Sequence, residues 1–192
     1  GENAAIIATG MKAKVYIVDK SENRLNELKK KFGEKITAIN NNNYDLKKLV
    51  SECDLLIGGV LVPGAEAPKI VTREMIKSMR KGSVVVDVAI DQGGCIETSK
   101  PTTHANPTYI VDEVVHYCVA NMPGGVPRTS TLALNKATLP LLSKLADKGL
   151  KSLKEDKNFM AGLNIFKGKI VFKGVSDAFN LKYNPPEGLI GQ

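Results

Sequence analysis

The sequence has few aromatic residues: no tryptophan, five tyrosines and five phenylalanines among 192 residues. This argues against a single-stranded nucleic-acid binder, because such proteins stack bases on aromatic side chains. The net charge of +7 comes from scattered lysines and arginines, apart from the run Lys29-Lys30-Lys31. We interpret that run as the solvated face of a helix, with a phosphate-binding patch as the alternative. Nucleic acid is therefore not an expected partner, although a basic surface would attract an anionic dinucleotide.

Long apolar runs and metal-ligand spacings are also absent. No apolar run approaches the roughly 20 residues of a membrane-spanning helix, so we expect no membrane partner. The cysteines Cys53, Cys95 and Cys118 lie far apart, and none belongs to a Cys-x-x-Cys or cysteine–histidine pattern. We therefore expect no metal site. We interpret the three cysteines as reduced thiols of a cytoplasmic protein.

Strands and helices alternate in the first half of the sequence, which predicts an α/β fold with a doubly wound parallel sheet. We expect helices at residues 1–10 (with Gly10 as the candidate C-cap), 24–32, 46–52 and 72–79, and strands at residues 14–18, 35–39, 54–57 and 83–87. Thr72 is the expected N-cap of the last of these helices, since Glu74 follows in its first turn.

The pattern changes after Pro101. Two β segments are expected at residues 108–111 and 114–120, then a long helix at 130–148 that Pro140 kinks or interrupts. A hairpin at residues 164–172 should turn at Lys167-Gly168. We place a domain boundary near Arg128, which divides the chain into residues 1–128, a nucleotide-binding domain, and residues 129–192.

Glycines and acids follow the predicted strands. Residues 54–57 lead into Gly58-Gly59, and residues 83–87 lead through Asp91 into Gly93-Gly94. The carboxyl ends of parallel strands meet at one crevice, where backbone without side chains can approach a ligand. These strand ends therefore predict a dinucleotide site.

Asp19 ends the first predicted strand, 18 residues after Gly1. In a Rossmann site the helix that begins near Gly1 faces the pyrophosphate, and an acid about 20 residues on accepts the ribose hydroxyls. A carboxylate there repels a 2′-phosphate and favours NAD over NADP, although Lys20 and Arg24 weaken that exclusion. The alternative is that Asp19 caps a turn or a helix.

Asp91 carries the catalytic hypothesis. A carboxylate at the end of a strand can lie beside a nicotinamide ring and act on substrate protons. The alternative is that Asp91 caps the turn before the paired glycines. His116 is better interpreted as a packed sheet residue than as a base, and His104 as a loop residue. We expect neither Cys95 nor Cys118 to be a nucleophile, because no base is paired with either.

The sequence resembles the alanine dehydrogenase family over essentially its whole length. The resemblance rests on long consecutive stretches, among them Leu61-Val62-Pro63-Gly64-Ala65, Ala89-Ile90-Asp91-Gln92-Gly93-Gly94-Cys95 and His116-Tyr117-Cys118-Val119-Ala120-Asn121-Met122-Pro123-Gly124. The α subunit of proton-translocating transhydrogenase is similar too. Its strand-end motif, however, typically reads alanine-glutamate-asparagine-glycine-glycine.

The resemblance implies a reversible oxidative deamination, in which L-alanine, NAD and water give pyruvate, ammonia and NADH. It matches Asp91 to the family's catalytic aspartate, and it implies a homo-oligomer, a hexamer in the family. Asn41 stands where the family commonly has serine. The cofactor-binding positions, with Gly1 as the third glycine of the motif, are Gly1, Asp19, Arg24, Asn41, Val60, Leu61, Val88, Ala89, Ile90, Asp91, Lys100, Val119, Ala120, Asn121 and Met122.

The same resemblance implies parts that this sequence does not contain. These are the first Rossmann strand, two glycines, and the substrate lobe with its histidine, arginine and lysine. In the strand order 3-2-1-4-5-6 the absent strand is central, so its two neighbours should have unpaired edges. We expect residues 129–192 to belong to the substrate lobe and the chain alone to be inactive. Two alternatives stay open: a non-catalytic NAD-binding or oligomerisation fragment, and a transhydrogenase-like nucleotide-binding domain.

Overall fold

A computed structural model describes residues 1–41 and 46–190, which form two compact units. The first unit consists of Gly1–Val60 and Pro68–Ala120. The second consists of Leu61–Ala67 and the chain from Asn121 onward. Since the chain passes from one unit to the other near Val60 and near Ala120, each is described by itself.

The first unit alternates strands and helices, as the sequence predicts. Its helices are α1 (Glu2–Gly10), α2 (Glu22–Phe32), α3 (Leu46–Glu52) and α4 (Arg73–Ser78). Its strands are β1 (Val15–Asp19), β2 (Ile36–Asn40), β3 (Leu55–Gly58), β4 (Val84–Asp87), β5 (Thr108–Val111) and β6 (Val114–Tyr117).

Local side-chain chemistry sets several of these boundaries. Thr72 is the N-cap of α4, as predicted, because its hydroxyl accepts the Met75 N–H at 3.3 Å. Helix α2 begins two residues before the predicted start, since Ser21 is its N-cap and accepts the Arg24 N–H at 3.3 Å. Gly10 is the last residue of α1 and the C-cap is Met11, so the predicted C-cap at Gly10 is wrong by one residue.

The strands of the first unit form two sheets. One is the parallel pair β1–β2, and the other has the order β3-β4-β6-β5. Strands β3, β4 and β6 are parallel, which confirms the mostly parallel Rossmann-type sheet, and β5 runs antiparallel to β6. Among the described residues, no strand pairs with the second edge of β1 or of β3. The sheet is therefore divided at the place where the predicted strand order lacks its central strand.

Apolar side chains on β1 and β3 are correspondingly exposed. Tyr16, Val18, Leu55 and Ile57 are each between 36% and 51% exposed. Strands that lie inside a doubly wound sheet bury such residues on both faces. The exposure of these four residues shows that β1 and β3 have less cover than the interior strand β4, whose Val85 is fully buried.

Strands β5 and β6 form a hairpin with a two-residue turn. The turn residues Asp112 and Glu113 both have positive φ, 50° and 63°. Such a turn matches the twist of the flanking strands. Strand β6 ends at Tyr117, earlier than predicted, because beyond it only the isolated bridge Thr102–Val119 continues the pairing.

The core of the first unit is made of buried aliphatic side chains from its helices, strands and loops. Helix α2 buries Leu25 and Leu28. Ile76, Ile96 and Val114 are fully buried. Each such aliphatic side chain contributes about 1.5–3 kcal/mol on burial, so these positions account for much of the stability of the unit.

The second unit is mainly helical. It contains α5 (Pro127–Lys148), α6 (Lys151–Glu155), α7 (Lys157–Met160), β7 (Ile165–Phe166), β8 (Lys169–Ile170) and α8 (Lys173–Phe179). The predicted hairpin is confirmed: β7 and β8 pair antiparallel, and Lys167 and Gly168 both have positive φ.

Helix α5 is longer than predicted because Pro127 occupies its first turn, where a missing N–H costs nothing. The helix is continuous through Pro140, so the expected interruption there is wrong. Within the described ranges, no helix combines the length and apolarity needed to cross a membrane.

Candidate functional site

Asp19 lies at the carboxyl end of β1, with its carboxylate held by the following turn. Its Oδ1 accepts the Ser21 N–H at 2.8 Å, so it does cap a turn, as the structural alternative proposed. Its carbonyl oxygen accepts the Asn41 N–H at 3.1 Å. The structure therefore brings together two of the predicted cofactor-binding residues, Asp19 and Asn41. A carboxylate has about four acceptor positions, so capping the turn leaves capacity for ribose hydroxyls.

Arg24, expected on the adenosine side, is held by two acids. Its guanidinium donates to Glu27 at 2.7 Å and to Glu2, which is the first residue of α1. Glu2 also accepts from Lys31 at 2.5 Å. The hydrogen bonds to Glu27 and Glu2 raise the pKa of Arg24, and those from Lys31 and Arg24 lower the pKa of Glu2. Arg24 therefore joins α2 to α1.

The start of α1 lies close to the end of β3. Gly1 is the N-cap of α1 and makes no side-chain cap hydrogen bond, since it has no side chain. A Cβ atom on Gly59 would lie 3.5 Å from the Gly1 nitrogen. A Cβ on Gly58 would lie 2.5 Å from Cys95 Sγ, so glycine is required there by packing. The exposed N–H groups of a first helical turn carry partial positive charge and suit an anionic group.

The carboxylate of Asp87, the last residue of β4, is completely buried and surrounded by donors. Oδ1 accepts the Ala89 N–H at 3.0 Å. Oδ2 accepts the N–H groups of Cys95 and Ile96 at 2.9 and 3.2 Å. It also accepts the Ser99 hydroxyl at 2.7 Å. A buried carboxylate is tolerated only with such a complement of donors.

Asp91 lies in the 3₁₀ turn Val88–Gln92 that follows β4. Asp87 is the N-cap of this turn, because its Oδ1 accepts the Ala89 N–H. Ala89 and Ile90 are buried, which fixes one side of the turn in the core. Val88 is 47% exposed and Asp91 is exposed as well. The turn therefore presents these two side chains toward solvent.

Lys69 holds the glycines after the turn. Its ammonium group donates to the carbonyl oxygen of Gly93 and, at 2.8 Å, to that of Gly94. Gly94 has φ +78°, and a Cβ on it would lie 2.8 Å from Asp87 Oδ2. The backbone thus passes between Lys69 on one side and Asp87 on the other.

His116 is a packed sheet residue, as expected, and it is fully buried in β6. Its Nδ1 lies 3.0 Å from the Val114 carbonyl oxygen, which can only accept, so Nδ1 carries the proton. Its Nε2 then accepts the Thr98 hydroxyl at 2.7 Å. Desolvation lowers the pKa of His116 and favours this neutral form. Its ring stacks on Tyr109 with centroids 5.1 Å apart.

Two of the cysteines are buried, and the environment of Cys95 disfavours its thiolate. Cys95 and Cys118 are at most 2% exposed. Desolvation is the largest cause that raises the pKa of Cys95, to about 11, and the nearby Asp87 adds to it. Desolvation also raises the pKa of Tyr109, whose hydroxyl lies 3.6 Å from Cys118 Sγ. A thiol that stays protonated at neutral pH is inert toward electrophiles.

The remaining predicted positions fall into both units. In the first unit, the Val60 backbone contacts the Cys95 thiol, and the Lys100 N–H donates to the Tyr109 hydroxyl at 2.7 Å. Val119 is buried, and the Ala120 N–H donates to Thr102. The other three positions belong to the second unit: exposed Leu61, Asn121 with a left-handed backbone (φ 52°, ψ 52°), and Met122 in the 3₁₀ turn Met122–Gly125.

The sequence reasoning did not identify Lys69, Asp87 or Ser99 as part of the site. One signal for Asp87 was available, because an acid directly continues the apolar run of β4 before the glycine pair. Lys69 is 24 residues from Gly93 in the sequence, so no local sequence pattern predicts their contact.

Known proteins with similar sequences decide the family. A family model described as "Alanine dehydrogenase/PNT, C-terminal domain" matches residues 1–173. The alanine dehydrogenase of Halomonas elongata is 56% identical over 192 residues, which are 100% of this chain and 52% of that protein. The chain belongs to the alanine dehydrogenase family. Alanine dehydrogenase 2 of Staphylococcus aureus (strain USA300) is 51% identical over 189 residues, 97% of this chain and 51% of its own.

Solved structures support the same family. An L-alanine dehydrogenase matches 93% of this chain, and 50% of its own, with a TM-score of 0.80 and 47% identity. The transhydrogenase from Sinorhizobium meliloti matches 74% of this chain, and 40% of its own, with a TM-score of 0.63 and 28% identity. The transhydrogenase-like alternative is therefore not favoured. The chain spans about half the length of the alanine dehydrogenases it matches.

The residues of the first unit fit a dinucleotide. Its pyrophosphate needs backbone N–H donors, which the uncapped first turn of α1 provides beside Gly59. Its adenosine ribose needs an acceptor, which Asp19 provides at the end of β1.

Proposed function

We propose that this chain is the NAD-binding portion of an alanine dehydrogenase, which interconverts L-alanine, NAD and water with pyruvate, ammonia and NADH. The observation that supports the proposal is the placement of two acids in one unit. Asp19 ends β1, and Asp91 lies on the exposed turn that follows β4. A crevice beyond the carboxyl ends of parallel strands is where open α/β sheets bind dinucleotides.

Asp19 has the adenosine-side role in this proposal. Its carboxylate accepts the ribose hydroxyls, while Ser21 fixes the orientation of that carboxylate. The Asn41 N–H donates to the Asp19 carbonyl oxygen, so Asn41 lies at the same end of the site. The side chain of Arg24 is shared between Glu2 and Glu27, so its role is to hold α2 against α1. This arrangement favours NAD over NADP, because acids surround the cation that would attract a 2′-phosphate.

Asp91 has the catalytic role. Bound NAD supplies the acceptor for the hydride of the alanine α-carbon. Either carboxylate oxygen of Asp91 accepts a proton from the substrate, as a general base positioned at the exposed turn. Val88, exposed on the same turn, supplies an apolar contact for the nicotinamide side of the cofactor.

In this proposal, the complete enzyme also contains a substrate-binding half that this chain lacks. The alanine dehydrogenases it matches are about twice as long, and their other half would supply the substrate-binding residues. Residues 129–192 belong to that substrate domain, and the enzyme acts as a cytoplasmic homo-oligomer on L-alanine and pyruvate. The isolated chain is inactive, because the groups that hold the substrate carboxylate are not in it.

Titration with NADH, followed by nicotinamide fluorescence, tests the binding role. The chain should bind NADH, and Asp19→Ala should weaken binding by at least tenfold through lost ribose hydrogen bonds. Asp177→Ala removes the same charge from α8 of the second unit and should bind normally. Equal affinities of the chain and Asp19→Ala would contradict the assignment of the ribose site.

A complementation assay tests the catalytic role. Alanine-dependent NADH formation should be absent with the chain alone and should appear after addition of the amino-terminal half of the Halomonas elongata relative. NADH binding without any rescued turnover would favour the second candidate, a non-catalytic NAD-binding or oligomerisation fragment. Turnover by the chain alone would contradict the division of roles proposed here.

A further inference from the structure

The segment 88–96 is held by hydrogen bonds from two directions. Asp87 binds its N–H groups, at Ala89 near the start and at Cys95 and Ile96 near the end. Lys69 binds its carbonyl oxygens, at Gly93 and Gly94. The Asp87 carboxylate thus accepts hydrogen bonds from N–H groups of this segment. The Lys69 ammonium group donates hydrogen bonds to carbonyl oxygens of the same segment.

Lys69 is brought to these carbonyls by a short parallel pairing. The Ile70 N–H donates to the Cys95 carbonyl at 2.8 Å, and the Glu97 N–H donates to the Val71 carbonyl at 2.9 Å. Val71 and Ile96 form the bridge between the two segments, and both are buried. The register of Lys69 against the glycines is therefore fixed by the backbone on its carboxyl side.

The glycine pair explains why such support is needed. Gly93 and Gly94 both have positive φ, 87° and 78°. Glycine has the widest choice of backbone conformations, so two in succession do not by themselves define the direction of the chain. Contacts to both carbonyl oxygens select one conformation, and Asp91 lies only two residues before the pair.

We propose that Lys69 and Asp87 are positioning residues that fix residues 88–96 and thereby set the placement of Asp91 and Val88 at the cofactor. This inference rests on the proposed function, which gives Asp91 and Val88 their roles. The two residues act through the backbone, and neither is assigned a contact with substrate or cofactor. Lys69 is exposed, so its replacement removes these hydrogen bonds while leaving the packing of the core in place.

The test uses Lys69→Met in the complete chain, with Lys69→Arg as the conservative variant. Lys77→Met, an exposed lysine of α4, is the charge-matched control. In the absence of nucleotide, the amides of residues 93–96 should exchange about tenfold faster in Lys69→Met. Exchange rates in strands β1 to β6 should be unchanged. NADH affinity should fall about tenfold in that variant, recover in part in Lys69→Arg, and stay normal in Lys77→Met.

Ser99→Ala tests the Asp87 side without removing the buried carboxylate. It deletes one donor to Oδ2 and should accelerate exchange at Cys95 and Ile96. If Lys69→Met fails to fold, Ser99→Ala still tests whether residues 88–96 are positioned by these hydrogen bonds. Local acceleration of exchange together with weaker NADH binding, in either variant, supports the proposal.

Three results would overturn the positioning role. They are unchanged exchange at residues 93–96, faster local exchange with unchanged NADH affinity, and faster exchange throughout the unit, which would indicate a general loss of stability. Failure of the unaltered chain to bind NADH is a different result. It would overturn the proposed function first, and the positioning role with it.

Discussion

Glu2 and Arg24 form a direct ion pair that links the first two helices of the nucleotide-binding unit. The guanidinium is shared with Glu27, and Glu2 is shared with Lys31. Arg24, one of the two cations near the predicted ribose acid, is thus already paired with carboxylates. The sequence predicts that Arg24 weakens the exclusion of NADP, and its ion pairs with Glu2 and Glu27 lead us to expect a smaller effect.

Replacing Glu2 should therefore relax the preference for NADH over NADPH. Glu2→Gln removes one of the two acids on Arg24, so the guanidinium becomes more available to a 2′-phosphate. Exposed ion pairs are worth about 0.2–1 kcal/mol, so we expect NADPH affinity to rise about two- to fivefold. The measurement is the ratio of NADPH and NADH dissociation constants at low salt.

Glu34→Gln is the control for this change, since it removes the same charge from the short 3₁₀ turn after α2. Its cofactor ratio should match that of the unaltered chain. An equal change of ratio in both variants would mean that net charge, and not the pair with Arg24, sets the preference.

Gly94 should tolerate alanine far less than Gly82 does. Both have φ near +80°, so alanine is strained by a similar amount at each, about 1–2 kcal/mol. At Gly94 the new Cβ would also meet Asp87 Oδ2 at 2.8 Å, whereas at Gly82 nothing lies within 4 Å. Asp87 cannot retreat without breaking its hydrogen bonds to Cys95, Ile96 and Ser99.

Urea unfolding of Gly94→Ala and Gly82→Ala measures the difference. We expect Gly94→Ala to lose about 1–3 kcal/mol more than Gly82→Ala, the usual range for overpacking or a broken buried hydrogen bond. Similar losses at the two positions would show that the Asp87 contact adds nothing to the backbone strain.

The alternation of strands and helices was predictable because it depends on local patterns. The apolar run of β4, the amphipathic face of α2 and the turn at Lys167-Gly168 each carry their signal within a few residues. Asp19 could be located in the same way, since an acid at a strand end is a local feature.

The contacts that organise the site could not be predicted, because they join distant parts of the chain. Glu2 meets Arg24 across 22 residues, and Lys69 meets Gly93 across 24. Asp87 was recognised as the end of a strand, but its complete burial depends on donors from Cys95, Ile96 and Ser99 that converge only after folding.

Cys95 should make the protein sensitive to alkaline pH. Burial raises the pKa of the Cys95 thiol from its ordinary value of 9.0 to about 11, mainly through desolvation. Its contribution to stability is therefore complete below pH 9 and is lost as the pH rises from about 9 to about 11, because the unfolded chain releases the proton first.

Thermal unfolding of the chain and of Cys95→Ala between pH 7 and pH 11 measures this contribution. Cys95→Ala has a lower Tm at pH 7, because a buried side chain is shortened. The further fall in its Tm toward pH 11 should be smaller than that of the unaltered chain by about 4–8 °C, equivalent to roughly 2 kcal/mol for this rise in pKa. Parallel curves would place the alkaline sensitivity elsewhere, for example at Tyr109, whose pKa is also raised.

Asp91→Asn should separate catalysis from folding and cofactor binding. Asp91 is exposed, and the turn that carries it is capped by Asp87, so the amide should leave the Tm within about 2 °C. NADH affinity should change by no more than about threefold, since the assigned task of Asp91 is proton transfer. With the amino-terminal half of the relative added, turnover should fall by about 10²–10⁴-fold, the usual contribution of a general base.

Asp19→Ala is the counterpart of this variant and should show the opposite pattern. It should lose NADH affinity, while turnover at saturating cofactor falls much less. If Asp91→Asn instead lost NADH binding and kept its rate at saturation, the carboxylate would be a cofactor-binding group. The proton would then have to be accepted by a group other than Asp91.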